Sequence, residues 1–297
     1  MEKKRCGSVA IIGHPNVGKS TLMNRLVGYK LSAIANKPQT TRTNIRGIVT
    51  KNPVQAVFTD TPGIHQSKHS LLNHALNREA IAALEQTDVV LMLVEALRWT
   101  TEDDLVISHL QTLKNPVFLL VNKVDRILDK QRLLIFIERL KSKYHFAEIF
   151  PLSATKGINI DIFWQCLSRY LPESEFIYPE DQITDQSLRF ISAELIREQL
   201  VVFLHQELPY DTAVDIERFA EKKKRVDINA VIWVNRKGQK GIVIGRKGET
   251  LKRIGTAARL SLENFLNKKV MLKLWVRVEE NWQNNPRSLK ELGITTS

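Results

Sequence analysis

The chain has 297 residues, 43% hydrophobic and 26% charged, which excludes a disordered or fibrous protein and leaves room for two domains or one large one. Against 32 Asp and Glu stand 44 Lys and Arg, a net charge of +12 that favours a polyanion, RNA or an anionic membrane surface, without choosing between them. Two cysteines, Cys6 and Cys166, are too few for a disulfide framework or a structural zinc site and point to a reducing, cytosolic compartment. The first residues lack the apolar stretch of a signal peptide, and no run approaches the roughly 20 apolar residues of a membrane span.

In chain order, a predicted strand at 9–12 runs into Gly13-His14-Pro15-Asn16-Val17-Gly18-Lys19-Ser20, followed by Thr21 and by Leu22, Leu26 and Val27 at helical spacing. Strand, glycine-rich loop and helix are the context in which G-x-x-x-x-G-K-[ST] binds phosphate. Glycines let backbone N–H groups turn inward at a helix amino terminus, Lys19 reaches the β- and γ-phosphates, and the Ser20 hydroxyl ligates magnesium. Next, Gln39-Thr40-Thr41-Arg42-Thr43 supplies hydroxyls for a second magnesium ligand, Thr41 or Thr40, with Thr41 the preferred choice. After a strand at 56–59 comes Asp60-Thr61-Pro62-Gly63, where the carboxylate can hold a magnesium-bound water and the Gly63 N–H can meet a γ-phosphate. Both segments would order around a triphosphate and relax after hydrolysis. His65, His69 and His74 follow without an acidic or cysteine partner at metal-ligand spacing and read as solvated.

Strands at 89–94 and 117–121 lead to Asn122-Lys123-Val124-Asp125. A carboxylate only accepts hydrogen bonds, and guanine offers N1–H and N2–H together where adenine offers neither, so Asp125 selects guanine. Asn122 can reach the N7 and O6 side or brace the loop, and the Lys123 stem can lie along the base with its head group near the sugar. Leu133, Leu134, Ile137 and Leu140 have helical spacing, a strand follows at 149–152, and Ser153-Ala154-Thr155 then offers a backbone N–H, from Ala154, to guanine O6. The alternation of strands and helices argues a mostly parallel sheet covered on both faces.

These motifs, in this order, resemble the Era-like group of translation-factor-related GTPases, over residues 8–171. The resemblance implies a P-loop GTPase domain and magnesium-dependent hydrolysis of GTP to GDP, with Lys19, Thr41 and Gly63 in catalytic roles. Ile64 stands where Ras-like enzymes carry a water-orienting glutamine, so hydrolysis is expected to be slow without a partner. Asn16 occupies the position at which relatives place a potassium ligand; a residue that simply braces the loop is the alternative.

Pro172 closes the first half, and Glu173-Ser174-Glu175-Phe176-Ile177-Tyr178-Pro179-Glu180-Asp181 is polar and acidic. The expected plan is a GTPase domain at 1–173, a linker at 174–186, a second domain at 187–280 and a tail at 281–297. The second domain opens with a helical pattern from Leu188 to Phe203, then strands around Val214 to Phe219 and Val226 to Val234, a helix around Leu251 to Phe265 and a strand at 270–278, a small α+β layout. Residues 173–221 carry 3 basic and 12 acidic side chains, whereas 222–277 carry 16 basic and 3 acidic, so a polyanion would meet the later segment. There, Ile244-Gly245-Arg246-Lys247-Gly248 holds a Gly-x-x-Gly turn with Lys252 and Arg253 behind it. In this frame the turn fits a KH module whose loop clamps nucleic-acid backbone, with a groove for unpaired bases along Ile242, Ile244 and the 226–234 strand.

Asp181-Gln182-Ile183-Thr184-Asp185, Ile196-Arg197-Glu198, Glu207-Leu208-Pro209-Tyr210 and Leu274-Trp275-Val276 extend the resemblance to the KH-bearing members of the same group. It implies a type II KH domain, a monomer that binds the 3′ end of 16S rRNA in assembly of the small (30S) ribosomal subunit under nucleotide control, and peripheral association with the inner membrane. Alternatives are a GTPase of the tRNA-modification type, for which no folate-binding module or terminal reactive cysteine is present, and a non-catalytic adaptor that holds GTP structurally.

Overall fold

The computed structural model describes residues 3–34, 42–63 and 70–294, which form two compact units. Its first unit holds a six-stranded sheet in the order β2-β3-β1-β4-β5-β6. The strands are β1 (Arg5–Ile12), β2 (Ile45–Lys51), β3 (Val54–Asp60), β4 (Val89–Glu95), β5 (Val117–Asn122) and β6 (Glu148–Pro151). All neighbours pair parallel except β2 with β3, which run antiparallel. The central strands read as unbroken apolar runs, Val-Val-Leu-Met-Leu-Val in β4, because helices cover both faces and no position meets water. Those helices are α1 (Lys19–Val27), α2 (Leu71–Glu85), α3 (Thr101–Leu110), α4 (Lys130–Lys141) and α5 (Ile160–Tyr170).

The chain leaves β1 toward one edge of the sheet and returns from β3 to β4 on the other side of β1, so strand order reverses at the carboxyl end of β1. Loops diverge at such a point and leave a crevice there, which is where doubly wound sheets bind ligands. Edge strand β2 is absent from the sequence-based expectation: exposed Arg46 and Lys51 and buried Gly47, where a Cβ would lie 2.6 Å from Val27, interrupt its apolar pattern.

Residues 174–185 belong to the first unit despite their linker-like composition. Ile48 N–H donates to Ile183 O (2.9 Å), and the Gln55 side chain, wholly buried, accepts the N–H groups of Ile177 and Tyr178 at 3.0 Å each while donating to Tyr178 O at 2.8 Å. One amide side chain thus satisfies three backbone groups that the segment could not satisfy alone.

The second unit comprises Gln186–Ser297 with the described residues of 32–40 and 68–75. A three-stranded sheet, β7 (Thr212–Glu221), β8 (Arg225–Val234) and β9 (Lys269–Val278), pairs antiparallel between β7 and β8 and parallel between β8 and β9. Helices α6 (Leu188–Phe203), α7 (Lys237–Ile244) and α8 (Glu249–Leu266) accompany it, and a short α9 (Pro286–Glu291) lies in the tail. Two expectations are corrected here. The run Gly241-Ile242-Val243-Ile244 is the end of a helix, giving helix, strand, strand, helix, helix, strand. And β8, being the central strand, has Val226, Ile228, Ala230, Ile232 and Val234 buried, so it cannot present a floor for bases; Ile242, 61% exposed, is the apolar residue that reaches solvent beside the turn. Trp282, fully buried, anchors the tail through Nε1–H to Asp211 O at 3.0 Å.

Candidate nucleotide and RNA sites

The segment between β1 and α1 has the backbone of a phosphate cradle. Gly13 and Gly18 have φ of 148° and 110°, and a Cβ on Gly13 would come within 2.5 Å of Leu93 O, so only glycine fits. Asn16 is also left-handed, at φ 64°, a conformation that asparagine tolerates better than most residues. The buried Lys19 ammonium donates to Gly13 O (2.9 Å) and His14 O (3.1 Å). Burial lowers its pKa to about 8, opposed by the carboxylates of Asp60, Glu102 and Asp103. A lysine held this way, at a helix amino terminus and facing carboxylates, suits a polyanion that arrives with a divalent cation. Ser20 opens the first turn of α1, with Thr21 after it, and Asp60 ends β3 wholly buried.

Thr61 has its hydroxyl committed to Ile11 O at 2.8 Å, a structural role. Pro62 is buried, and a Cβ on Gly63 would lie 3.0 Å from Pro15, which puts the Gly63 backbone against the phosphate loop. Thr40, Thr41, Ile64, His65 and His69 lie outside the described residues.

On the base side, Asn122 acts as a brace: its Nδ2 donates to Val17 O (2.8 Å) and its Oδ1 accepts the Ala154 N–H (3.0 Å), tying the phosphate loop to Ser153-Ala154-Thr155 and correcting the expectation for Ala154, whose N–H is taken by this carboxamide in place of guanine O6. Ser153 closes that loop on itself by accepting the Lys156 N–H at 3.0 Å. Arg25 grips the same loop through Ala154 O (3.0 Å) and Thr155 O. Asp125 stands exposed in a short 3-10 turn, available to a ligand, and left-handed Lys123 (φ 67°) is held by Glu95 at 2.9 Å. Arg25, Glu95 and Asp103 are site residues that the motifs did not reveal. For Asp103 a local signal exists, because Thr100-x-x-Asp103 has capping-box spacing at the start of α3.

In the second unit, α7 ends at Gly245 (φ 72°), where a Cβ would overlap the Thr250 side chain and approach its backbone N to 2.9 Å. Lys247 (φ 51°) and Gly248 (φ 80°) continue the left-handed turn, and α8 begins at Glu249. Arg246 and Lys247 are both exposed at its tip, and Lys252 and Arg253 lie in the first turns of α8. Two glycines therefore leave the backbone of the turn open to close approach, with two exposed cations between them.

Two family models match the chain: "50S ribosome-binding GTPase" over residues 8–123 and "KH domain" over residues 207–283. GTPase Era of Marinobacter nauticus is 48% identical over 293 residues, covering 99% of this chain and 96% of the relative. GTPase Era of Pseudomonas aeruginosa is 49% identical over 289 residues, covering 97% and 95%. Among solved structures, a variant of Aquifex aeolicus Era bound to GDP and AlF4− superposes with a TM-score of 0.94 at 38% identity, covering 98% of this chain and 99% of that one. Era in complex with MgGDPNP and nucleotides 1506–1542 of 16S ribosomal RNA superposes with a TM-score of 0.95 at 37% identity and the same coverage.

Proposed function

Since the chain belongs to the GTPase Era family, we propose that it hydrolyses GTP and uses its nucleotide state to time binding of the 3′ end of 16S rRNA on the maturing 30S subunit. The phosphate loop carries this reading: positive-φ glycines, a buried Lys19 and the Asn122 brace form a cradle whose base side exposes Asp125. These residues fit a magnesium-bound guanine nucleotide. Ser20, Thr41 and Asp60, the last through water, would hold the metal, which supplies charge for the β- and γ-oxygens when bound. Residues Gly13 to Thr21 cradle the phosphates, Lys19 neutralises them, and the Gly63 N–H meets the terminal one. Asp125 accepts from the guanine edge, Lys123 lies along the base, and Ser153-Ala154-Thr155 closes the pocket. A potassium ion at Asn16 would add positive charge to the phosphate site.

The RNA lies along Ile244-Gly245-Arg246-Lys247-Gly248 with Lys252 and Arg253 on its phosphates. The protein works as a cytoplasmic monomer. Its peripheral association with the inner membrane rests on family resemblance and charge; among the described residues no helix is long and apolar enough to cross a membrane.

Calorimetry with magnesium tests the nucleotide reading: heat is expected with GTP and at least about tenfold weaker binding with ATP, because adenine leaves the Asp125 carboxylate unpaired. Asp125→Asn should move preference from guanosine toward xanthosine nucleotides. Equal heats with GTP and ATP would overturn the assignment.

A further inference from the structure

The phosphate loop contains a side-chain tie that cradling phosphate does not itself require. His14 is 5% exposed, and its Nδ1 lies 2.8 Å from Asp103 Oδ1. Asp103 is wholly buried in the first turn of α3, where its Oδ2 accepts the Thr100 N–H (2.8 Å) and the Thr100 hydroxyl (2.9 Å). With Oδ2 receiving two protons, Oδ1 takes the His14 Nδ1–H, which fixes the ring against α3. The backbone of the same histidine provides one of the two carbonyls that hold the Lys19 ammonium; Gly13 provides the other. Asp103 and its neighbour Glu102 also favour the charged form of Lys19. A backbone cradle makes no demand on the side chain at position 14, yet a buried polar pair is placed there, joined through Nδ1 and Oδ1.

We propose that His14, held by Asp103, is a positioning residue for Lys19: the tie fixes the 13–14 peptides so that their carbonyls aim the ammonium at the phosphates. The imidazole acts on triphosphate binding and turnover through Lys19, and only the backbone of position 14 belongs to the phosphate cradle. The inference rests on the loop being the phosphate cradle of a GTPase. Because Lys19 reaches the γ-phosphate as well as the β, a misaimed ammonium loses more with a triphosphate than with a diphosphate.

The test compares wild type with His14→Leu, which fills the space without a hydrogen bond, and His14→Asn, whose amide N–H can replace Nδ1–H. Affinities for a non-hydrolysable GTP analogue and for GDP are measured on the full chain with magnesium, alongside kcat, KM and thermal unfolding. His14→Leu is expected to lower analogue affinity and kcat about tenfold while GDP affinity changes no more than about threefold, and His14→Asn to recover most of the loss. An analogue-to-GDP ratio and kcat equal to wild type in folded His14→Leu would overturn the proposal. So would an equal loss for both nucleotides with no recovery in His14→Asn, which would mark the tie as packing alone. Should His14→Leu fail to fold, His14→Ala, which removes the ring and leaves Asp103 and its Thr100 bonds in place, is read by the same ratio: a loss greater for the analogue than for GDP sustains the tie, and a wild-type ratio and kcat overturn it. Wild type without affinity for either nucleotide would instead sink the GTPase reading.

Discussion

Asn16 shows how one residue can answer a backbone demand and a chemical one together. Its φ of 64° would strain most side chains, and asparagine satisfies that geometry whether or not its carboxamide holds potassium. Asn16→Gly separates the two, because glycine keeps the left-handed backbone and removes only the carboxamide, whereas alanine would add strain. If potassium is bound there, steady-state GTP hydrolysis is at least about tenfold faster in potassium than in sodium buffer, and Asn16→Gly abolishes the difference. Equal wild-type rates in the two salts would remove potassium from the site. Motif spacing brought Asn16 to notice, but not its dihedral angle. Likewise, Asn122 could be read as a base reader or a brace, and only its two hydrogen bonds, to Val17 and Ala154, assign the brace.

At the scale of elements, strands β1, β3, β4 and β5 and helices α1 and α4 were legible because continuous apolar runs and helical spacing are local properties. Edge strand β2 was not, and neither was the attachment of residues 174–185, because a polar segment is ordered only by what it meets. Gln55 is what it meets. Gln55→Leu leaves three backbone groups of that segment unpaired, so urea unfolding should show a loss of about 2–4 kcal/mol while GTP affinity is retained. The turn between β7 and β8 offers a pH-dependent counterpart. Lys222, and Arg225 at 2.9 Å, hold the Asp227 carboxyl below its ordinary pKa, with the Lys222 hydrogen bond the larger cause. Folding therefore releases a proton from this group at acid pH. Its stabilisation is complete above the ordinary carboxylate range and is lost as pH falls through the lowered value. Melting temperature against pH should fall less steeply on the acid side for Asp227→Asn than for wild type. Parallel acid limbs would show that the pair does not stabilise the fold.

For the whole molecule, the claim is that nucleotide state governs RNA affinity, which needs contacts that differ between states. Two stretches flanking the phosphate-sensing segments fall in the second unit: Ile34 N–H donates to the buried carboxylate of Glu198 (3.0 Å), and Leu71 N–H donates to Asn284 Oδ1 (3.1 Å). The expected outcome is tighter binding of a 16S 3′-end oligonucleotide with a GTP analogue than with GDP, read by fluorescence anisotropy. Gly248→Asp should abolish that binding and spare basal hydrolysis. Position 248 is the better one to change, because open space surrounds it and aspartate tolerates its left-handed φ of 80° better than most residues, whereas any side chain on Gly245 collides with Thr250. Equal RNA affinity in the two nucleotide states would end the coupling claim.

The chemistry of the site was readable from the chain alone, since the phosphate loop, Asp60-Thr61-Pro62-Gly63, Asn122-Lys123-Val124-Asp125 and the Gly245–Gly248 turn are each set by consecutive residues whose backbone needs and donor types travel together. Which distant side chains hold those pieces in place was decided only by the tertiary structure. Asp103 meets His14, Glu95 meets Lys123, Arg25 meets the Ala154 loop and Trp282 meets Asp211. Such pairings depend on strand order and helix placement, which juxtapose residues far apart in sequence, and no local periodicity encodes a partner that the fold alone brings within hydrogen-bonding distance.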